Sequence, residues 1–167
     1  MNFIKRIFLA IAVLFAALSV KAQETPMFPF QGGGGVMTQF FKDSLAVSPD
    51  IIQKKATGTV IMKFTADEQG VITKMIIYYA DDYLLTTPVI AALKKSSHHW
   101  IIPHNVKTYD FLIQFSIAFN PSANPDAATK DALYNYYAGR RSILTTNQVP
   151  LDNATLLPTV SVNYDLQ

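Results

Sequence analysis

Three histidines, the only ones in the chain, lie close together and are the first candidates for chemistry: His98, His99 and His104. Imidazole is a common ligand for transition metals, and a histidine cluster is one way to build such a site. However, His98 and His99 are neighbours, so in an extended chain their side chains diverge. No Asp or Glu between Asp82 and Asp110 can complete a local ligand set. We therefore expect a surface or packing role and no metal or other cofactor. A metal-binding protein or hydrolase using the three histidines is the alternative.

Two further groups of polar residues are candidates for catalysis. Asp81 and Asp82 form a carboxylate pair, but adjacent carboxylates in a loop more often cap a helix or face solvent. Ser96 and Ser97 precede His98, yet sequence neighbours rarely reach nucleophile–base geometry, and no Gly-x-Ser-x-Gly elbow is present. The chain has no cysteine, which excludes thiol catalysis, disulfides and Cys-ligated metals. The sequence thus predicts a protein that is not an enzyme.

The composition is that of a globular domain with a sizeable core. Of the 167 residues, 50% are hydrophobic and 16% are charged, which fits one domain with additional segments. The formal net charge of +2 gives no case for a nucleic-acid partner.

The first 22 residues have the pattern of a secretory signal peptide. Lys5 and Arg6 form a basic start, an uncharged apolar run follows, and Val20-x-Ala22 supplies the small-x-small cleavage signal. An uncleaved anchor is the alternative, but a membrane-spanning helix needs about 20 apolar residues, more than this run contains. We expect cleavage after residue 22 and a soluble protein without a membrane span, periplasmic or otherwise exported.

Hydrophobic periodicity predicts an α+β fold. The predicted elements are an extended Pro- and Gly-rich lead at residues 23–35, a helix at 36–45 stopped by Pro49, strands at 58–65 and 71–79, a helix from the cap Thr87 to Lys95, and a strand at 108–120. In the last strand, apolar side chains alternate without a break and the intervening positions are mostly polar. This pattern is typical of an antiparallel sheet backed by helices on one side. Trp100 is expected to anchor the core.

These elements carry several motifs in a fixed order. They are Phe30-Gln31-Gly32-Gly33, Phe40-Phe41 followed by Pro49, Gly58-Thr59-Val60 with Phe64, Asp67-x-x-Gly70-Val71-Ile72, a helix at residues 84–93, Trp100 with Pro103, and the final strand. Together they resemble the C-terminal domain family of TonB, the energy-coupling protein of Gram-negative envelopes, over residues 28–120. The chain departs from the usual family pattern in having two residues between the Trp and the Pro, Thr86-Thr87 before the second helix, and Ser48 before Pro49.

The resemblance implies a domain at residues 36–120 with a three-stranded antiparallel sheet and two helices packed on one face. It also implies a protein-binding module, linked to TonB-dependent transmembrane transport, that adds a partner strand to the edge of its final strand. The implied binding residues are Thr108, Asp110, Leu112, Gln114 and Ser116. The implied partner is an envelope protein or peptide segment, such as a TonB-dependent receptor or an anchored transport component, and a homodimer is left open. The lead is too short to cross a periplasm, which argues against conventional force transmission.

Residues 121–167 form a C-terminal extension that the resemblance does not cover. A helix is predicted at about 126–138, with Asp126 as its cap and Gly139 as its end, and residues 160–164 alternate like a short strand. Proteins usually cover long apolar edge strands. We therefore expect the extension to pack back on the final strand, with a flexible tail as the alternative.

Overall fold

A computed structural model describes residues 27–146 and 153–165. The predicted signal peptide and part of the predicted lead lie outside the described residues. The helices are α1 (Gly33–Ser44), α2 (Pro49–Lys54), α3 (Thr86–Lys95) and α4 (Ala127–Ala138), with a 3-10 turn at Tyr83–Leu85; the strands are β1 (Gly58–Asp67), β2 (Ile72–Ala80), β3 (Thr108–Phe119), β4 (Ile143–Leu144), β5 (Thr155–Leu156) and β6 (Val160–Tyr164). The described chain is therefore α+β, as the sequence predicts.

The described strands form one mixed sheet of six strands in the order β4-β2-β1-β3-β5, with β6 also paired to β3. β1 pairs antiparallel with β2 and with β3, and β2 pairs antiparallel with β4. β5 and β6 instead run parallel to β3. The predicted three-stranded antiparallel sheet is wrong in this respect, because the C-terminal extension adds three strands. Two of these are two residues long, too short for a period-2 pattern to be visible in the sequence.

The hydrophobic core lies on one face of the sheet. Alternate residues of β3 from Phe111 to Ile117 are fully buried, and Phe64 of β1 lies opposite Phe111 with ring centroids 5.2 Å apart. Trp100 is 3% exposed, and its ring lies 4.6 Å from that of Phe64. The predicted role of Trp100 as a core anchor is confirmed.

The core is closed by helices α1 and α3. On α1, Met37 and Phe41 are fully buried, and the Phe41 ring meets Phe115 edge-on at 5.2 Å. On α3, Val89 and Leu93 belong to the same buried cluster. The 3.6-residue spacing of these apolar positions is what places them on a single helix face.

The boundaries of two helices differ from the sequence prediction. Pro49 was expected to stop α1, but α1 ends at Ser44, and Pro49 is the first residue of α2. The hydroxyl of Ser48 accepts a hydrogen bond from the N–H of Ile51 and caps α2. Serine is favoured at the N-cap of a helix, and proline is favoured at the first helical position. Thr87 was expected to cap α3 but lies inside it, because a 3-10 turn precedes the helix.

The helix predicted in the C-terminal extension is confirmed. The carboxylate of Asp126 accepts the Thr129 N–H at 2.7 Å, and Gly139 is the C-cap of α4. The Asp126 carboxylate is stabilised by hydrogen bonds from Thr129, first from its side chain and then from its backbone. These hydrogen bonds lower the pKa of Asp126.

Candidate binding surfaces

The outer edge of β3, where the resemblance places partner binding, is occupied by the chain's own extension. β5 pairs with Phe111 and Leu112, and β6 pairs with the five residues from Phe115 to Phe119. The N–H of Leu157 donates to the carbonyl of Leu112 at 2.8 Å, which continues the ladder beyond β5. A partner strand would therefore have to displace the extension before it could add along this stretch.

The five predicted binding residues lie at different places along this edge. Leu112 and Ser116 are half-buried and stand in the paired stretch, and Gln114 lies between the β5 and β6 pairings. Thr108 and Asp110 precede the paired stretch and line a cleft of about 660 Å³ that Asn153 also borders. The structure thus brings the five onto one strand, and their binding of a partner stays a prediction.

The Asp110 side chain already has partners within the fold. Its carboxylate lies 2.8 Å from Lys63 Nζ and accepts the Thr65 hydroxyl at 2.6 Å. Burial alone raises the pKa of Asp110, but the hydrogen bonds from Lys63 and Thr65, together with the charges of Lys63 and Lys74, outweigh it and hold that pKa below its usual value. Asp110 therefore links β3 to two residues of β1.

Strand β6 is anchored by its side chains as well as by its backbone. Val160, Val162 and Tyr164 are buried against the core, whereas Ser161 and Asn163 are exposed. This alternation matches the period of two that the sequence shows at residues 160–164. The prediction that the extension packs back on the final strand is confirmed for this segment.

A polar junction fastens the segment after α4 to the sheet. The Asp81 carboxylate accepts the N–H of Thr59 at 2.7 Å and the hydroxyl of Tyr79 at 2.6 Å. Arg140 lies 3.8 Å from that carboxylate and donates to the Thr57 carbonyl at 3.1 Å. The hydrogen bond to Asp81 is the main cause that raises the pKa of Tyr79. Asp81 and Asp82, adjacent in sequence, have separate roles, since Asp82 caps the 3-10 turn by accepting the Leu84 N–H.

The outer edge of β2 contrasts with that of β3. β4 pairs with Tyr79 and Ala80, and Thr145 N–H donates to the Tyr78 carbonyl. Ile72 N–H donates to the hydroxyl of Ser97 at 3.3 Å. Between these points, within residues 27–146 and 153–165, no strand pairs with the outer side of residues 73–77. The sequence does not reveal this edge, because a local pattern cannot show which strand is left at the border of a sheet.

The three histidines have different environments and do not converge. His99 stacks on Phe30 with ring centroids 5.5 Å apart, and its Nδ1 lies 3.2 Å from the Ser97 carbonyl. His98 is exposed in a left-handed backbone conformation, and His104 is exposed in the loop before β3. In the part of the chain that the structure describes, no three His, Cys, Asp or Glu side chains are grouped so that they could hold a metal ion.

The serines near the histidines have hydrogen bonds that serve the fold. Ser96 Oγ donates to the Leu93 carbonyl at 2.7 Å and accepts the indole N–H of Trp100 at 3.1 Å. Ser97 Oγ accepts the Ile72 N–H, as described above. Both hydroxyls therefore hold the end of α3 against the sheet and the core.

Comparison with known proteins identifies no relative: no protein-family model, no curated protein and no solved structure matches this chain. None of the helices in the described residues has the length and apolar character needed to span a membrane.

Proposed function

We propose that this chain is an exported, non-enzymatic protein-binding module, similar in role to the C-terminal domain of TonB, that binds an extended segment of an envelope protein by strand addition. The observation that carries the proposal is the outer edge of β2 at residues 73–77, which no strand within residues 27–146 and 153–165 pairs with, in a sheet whose other edge is covered by β5 and β6. In strand addition, backbone hydrogen bonds supply affinity and alternate side chains supply specificity. Export rests on the signal-peptide pattern of residues 1–22.

Lys74 gives this edge a chemical preference. Its side chain is exposed, and it stands opposite Thr65 of β1 in the hairpin register. A lysine on an edge strand discourages pairing between two copies, because antiparallel self-pairing would bring like charges together. A partner strand with an acidic side chain opposite Lys74 would instead form a favourable cross-strand pair. We therefore assign an acidic extended segment as the partner.

Binding at the edge of β3 is less favourable on energetic grounds. A partner there would have to release β6, whose Val160 is fully buried and whose Tyr164 is 8% exposed. Exposing each such side chain costs about 1.5–3 kcal/mol, in addition to the lost ladder hydrogen bonds. At residues 73–77 of β2, no strand in the described part of the chain would have to be released first.

A metal-dependent or hydrolytic function gains no support from the described geometry. His99 is held by Phe30 and by the carbonyl of Ser97, and Ser96 and Ser97 are engaged in the hydrogen bonds given above. An acid–base or nucleophilic mechanism needs a nucleophile and a base within hydrogen-bond reach of each other. The binding role therefore fits the described residues better.

Site-specific photocrosslinking in the cell envelope tests the proposal. A photoreactive residue at Thr73, which is exposed on β2, should capture a protein through an acidic extended segment. The same residue at Ser161, which is exposed on β6, is the matched control and should capture none. Equal capture from both positions, or none from Thr73, would contradict binding at β2.

A synthetic peptide of the captured segment then localises the contact. In amide hydrogen exchange, the peptide should protect residues 73–77 and leave residues 160–164 unchanged. Lys74→Glu should weaken its binding about tenfold, whereas Lys42→Glu, an exposed lysine on α1, should leave it unaltered. Protection confined to residues 108–116 would show that the peptide binds at β3 and not at β2.

A further inference from the structure

A cleft of about 440 Å³ lies between α2, the 3-10 turn and α4. Two aromatic side chains, Tyr83 and Tyr136, line it together with three charged ones, Lys54, Asp82 and Arg141. This volume falls within the range of about 300–1,000 Å³ that is typical of small-ligand sites. Concave shape, aromatic walls and a few charged groups are the usual features of such sites.

Asp82 is the unusual residue of this cleft. It is 6% exposed, and its Oδ1 accepts the Leu84 N–H at 2.9 Å. Among the described residues, no cation forms an ion pair with it. A buried carboxylate is normally paired with a cation, because desolvation of an unpaired charge is costly. Burial first and the Asp82 charge second raise the pKa of Tyr136 to about 12, and the charge of Arg140 opposes this rise.

The two cations of the cleft are also unpaired within the described chain. Lys54 is exposed at the end of α2, and Arg141 is exposed after α4. The backbone of Arg141 is held in place, because its carbonyl accepts the Tyr83 N–H at 2.9 Å. One buried anion and two exposed cations therefore border the same space, and no ion pair joins them among the described residues.

We propose that this cleft binds a small zwitterion, with the ligand's ammonium group on Asp82 and its carboxylate on Lys54 and Arg141. A simple cation would be repelled by the two basic side chains, and a simple anion would face the buried carboxylate. A molecule with both groups satisfies all three charges, and Tyr83 and Tyr136 contact its apolar part. Free amino acids and short peptides with free ends share this chemistry. The cleft lining contains none of residues 73–77, so this proposal does not depend on the proposed strand addition.

Isothermal titration calorimetry with defined probes tests the proposal. The probes are L-alanine, trialanine, N-acetyl-trialanine, which lacks the ammonium, and trialanine amide, which lacks the carboxylate. We expect saturable binding of at least one unblocked probe and at least tenfold weaker binding of both blocked forms. Binding of L-alanine identifies free amino acids as the ligand class, and binding of trialanine alone identifies peptides. No saturable heat from either unblocked probe, or equal binding of the blocked forms, overturns the proposal.

Substitutions of the lining residues test whether the ligand binds in this cleft. Asp82→Asn keeps an oxygen for the Leu84 N–H but removes the charge, and it should weaken binding at least tenfold. Asp131→Asn, on α4 but outside the cleft lining, is the matched control and should bind like the wild type. The double substitution Lys54→Gln and Arg141→Gln changes two exposed side chains, so the fold should persist, and it should abolish the preference for trialanine over its amide. Wild-type affinity and preference in both the Asp82 and the double variant would contradict the proposal.

Discussion

Tyr164 donates its hydroxyl to the backbone carbonyl of Ala56 at 2.7 Å, and the same hydroxyl lies 3.2 Å from the carbonyl of Ile51. Ile51 belongs to α2, and Ala56 lies between α2 and β1. The last strand is thereby tied to the segment that leads into the first strand. Burial raises the pKa of the Tyr164 phenol, so it remains a donor over the physiological pH range. The C-terminal extension is therefore an integral part of the fold.

Removal of this hydroxyl should destabilise the protein. In Tyr164→Phe, the buried carbonyls of Ile51 and Ala56 lose their side-chain donor, and we expect a loss of about 1–2 kcal/mol in the free energy of unfolding. Tyr134→Phe is the control, because Tyr134 is 74% exposed and should change stability by less than about 0.5 kcal/mol. Urea denaturation measures both. Equal stability of Tyr164→Phe and the wild type would contradict the anchoring role.

Release of β6 should expose the outer edge of β3. Val160 is fully buried opposite Phe115, so Val160→Asp places an unpaired charge in the core and should detach the strand. Ser161→Asp adds the same charge at the next, exposed position and should leave β6 in place. Sedimentation should show concentration-dependent self-association of the Val160 variant, because exposed edge strands pair with other chains. Two monomeric variants with equally slow amide exchange in β3 would exclude this role of β6.

The two faces of β3 should respond differently to truncation. Phe115 is fully buried and contacts the Phe41 ring, whereas the neighbouring Gln114 points to the face opposite the core and is half-buried. We expect Phe115→Ala to cost about 3–5 kcal/mol and Gln114→Ala to stay within about 0.5 kcal/mol. Chemical denaturation of the two variants compares them directly. Similar losses at both positions would be inconsistent with a core on one face only.

The long periodic segments were the part of the fold that the sequence could predict. The unbroken alternation from Tyr109 to Phe119 fixes both the existence of β3 and its buried face, and Asp126 and Gly139 bound α4 by capping chemistry. In contrast, α2 has six residues, and β4 and β5 have two each. Such segments are stabilised by tertiary pairing rather than by local pattern, so their sequences do not reveal them.

The candidate sites were less predictable, because they depend on residues far apart in the chain. Lys54, Asp82 and Arg141 meet in one cleft only after α2, the 3-10 turn and the segment after α4 have packed together. Similarly, the resemblance implies that a partner binds at the outer edge of β3. In the structure, residues of β5 and β6, each more than 40 positions further along the chain than its β3 partner, pair with this edge. The sequence predicts that the extension covers an edge of the sheet. It does not predict that, among the described residues, the outer edge of β2 at residues 73–77 has no strand partner.

Gly70 should not tolerate a side chain, in contrast to a glycine of α1. Gly70 has a φ of 73°, and a Cβ atom there would lie 2.5 Å from the backbone oxygen of Trp100. Gly70→Ala should therefore destabilise the fold by about 1–3 kcal/mol, because the left-handed backbone conformation and the close contact are both unfavourable for alanine. Gly35 lies in α1, and a Cβ atom added there would have no atom within 4 Å beyond its chain neighbours and the nearby backbone of its own helix. Gly35→Ala should therefore stabilise the protein by about 0.5–1 kcal/mol. Thermal unfolding that ranks the two variants in the opposite order would contradict the contact with Trp100.

The Lys63–Asp110 pair should make stability depend on pH in the acidic range. Because the Asp110 pKa is lower in the folded than in the unfolded chain, the unfolded chain binds this proton first, and stability falls as pH decreases. The contribution of Asp110 is fully present above its unfolded pKa of about 3.9, and it is lost as pH falls through the lower folded value. Asp110→Asn lacks this dependence, so the gap in unfolding free energy between wild type and variant should shrink from pH 6 to pH 3. Asp131→Asn, an exposed substitution on α4, should follow the wild-type pH profile. A gap for Asp110→Asn that stays constant over this range in urea titrations would contradict the role of the pair.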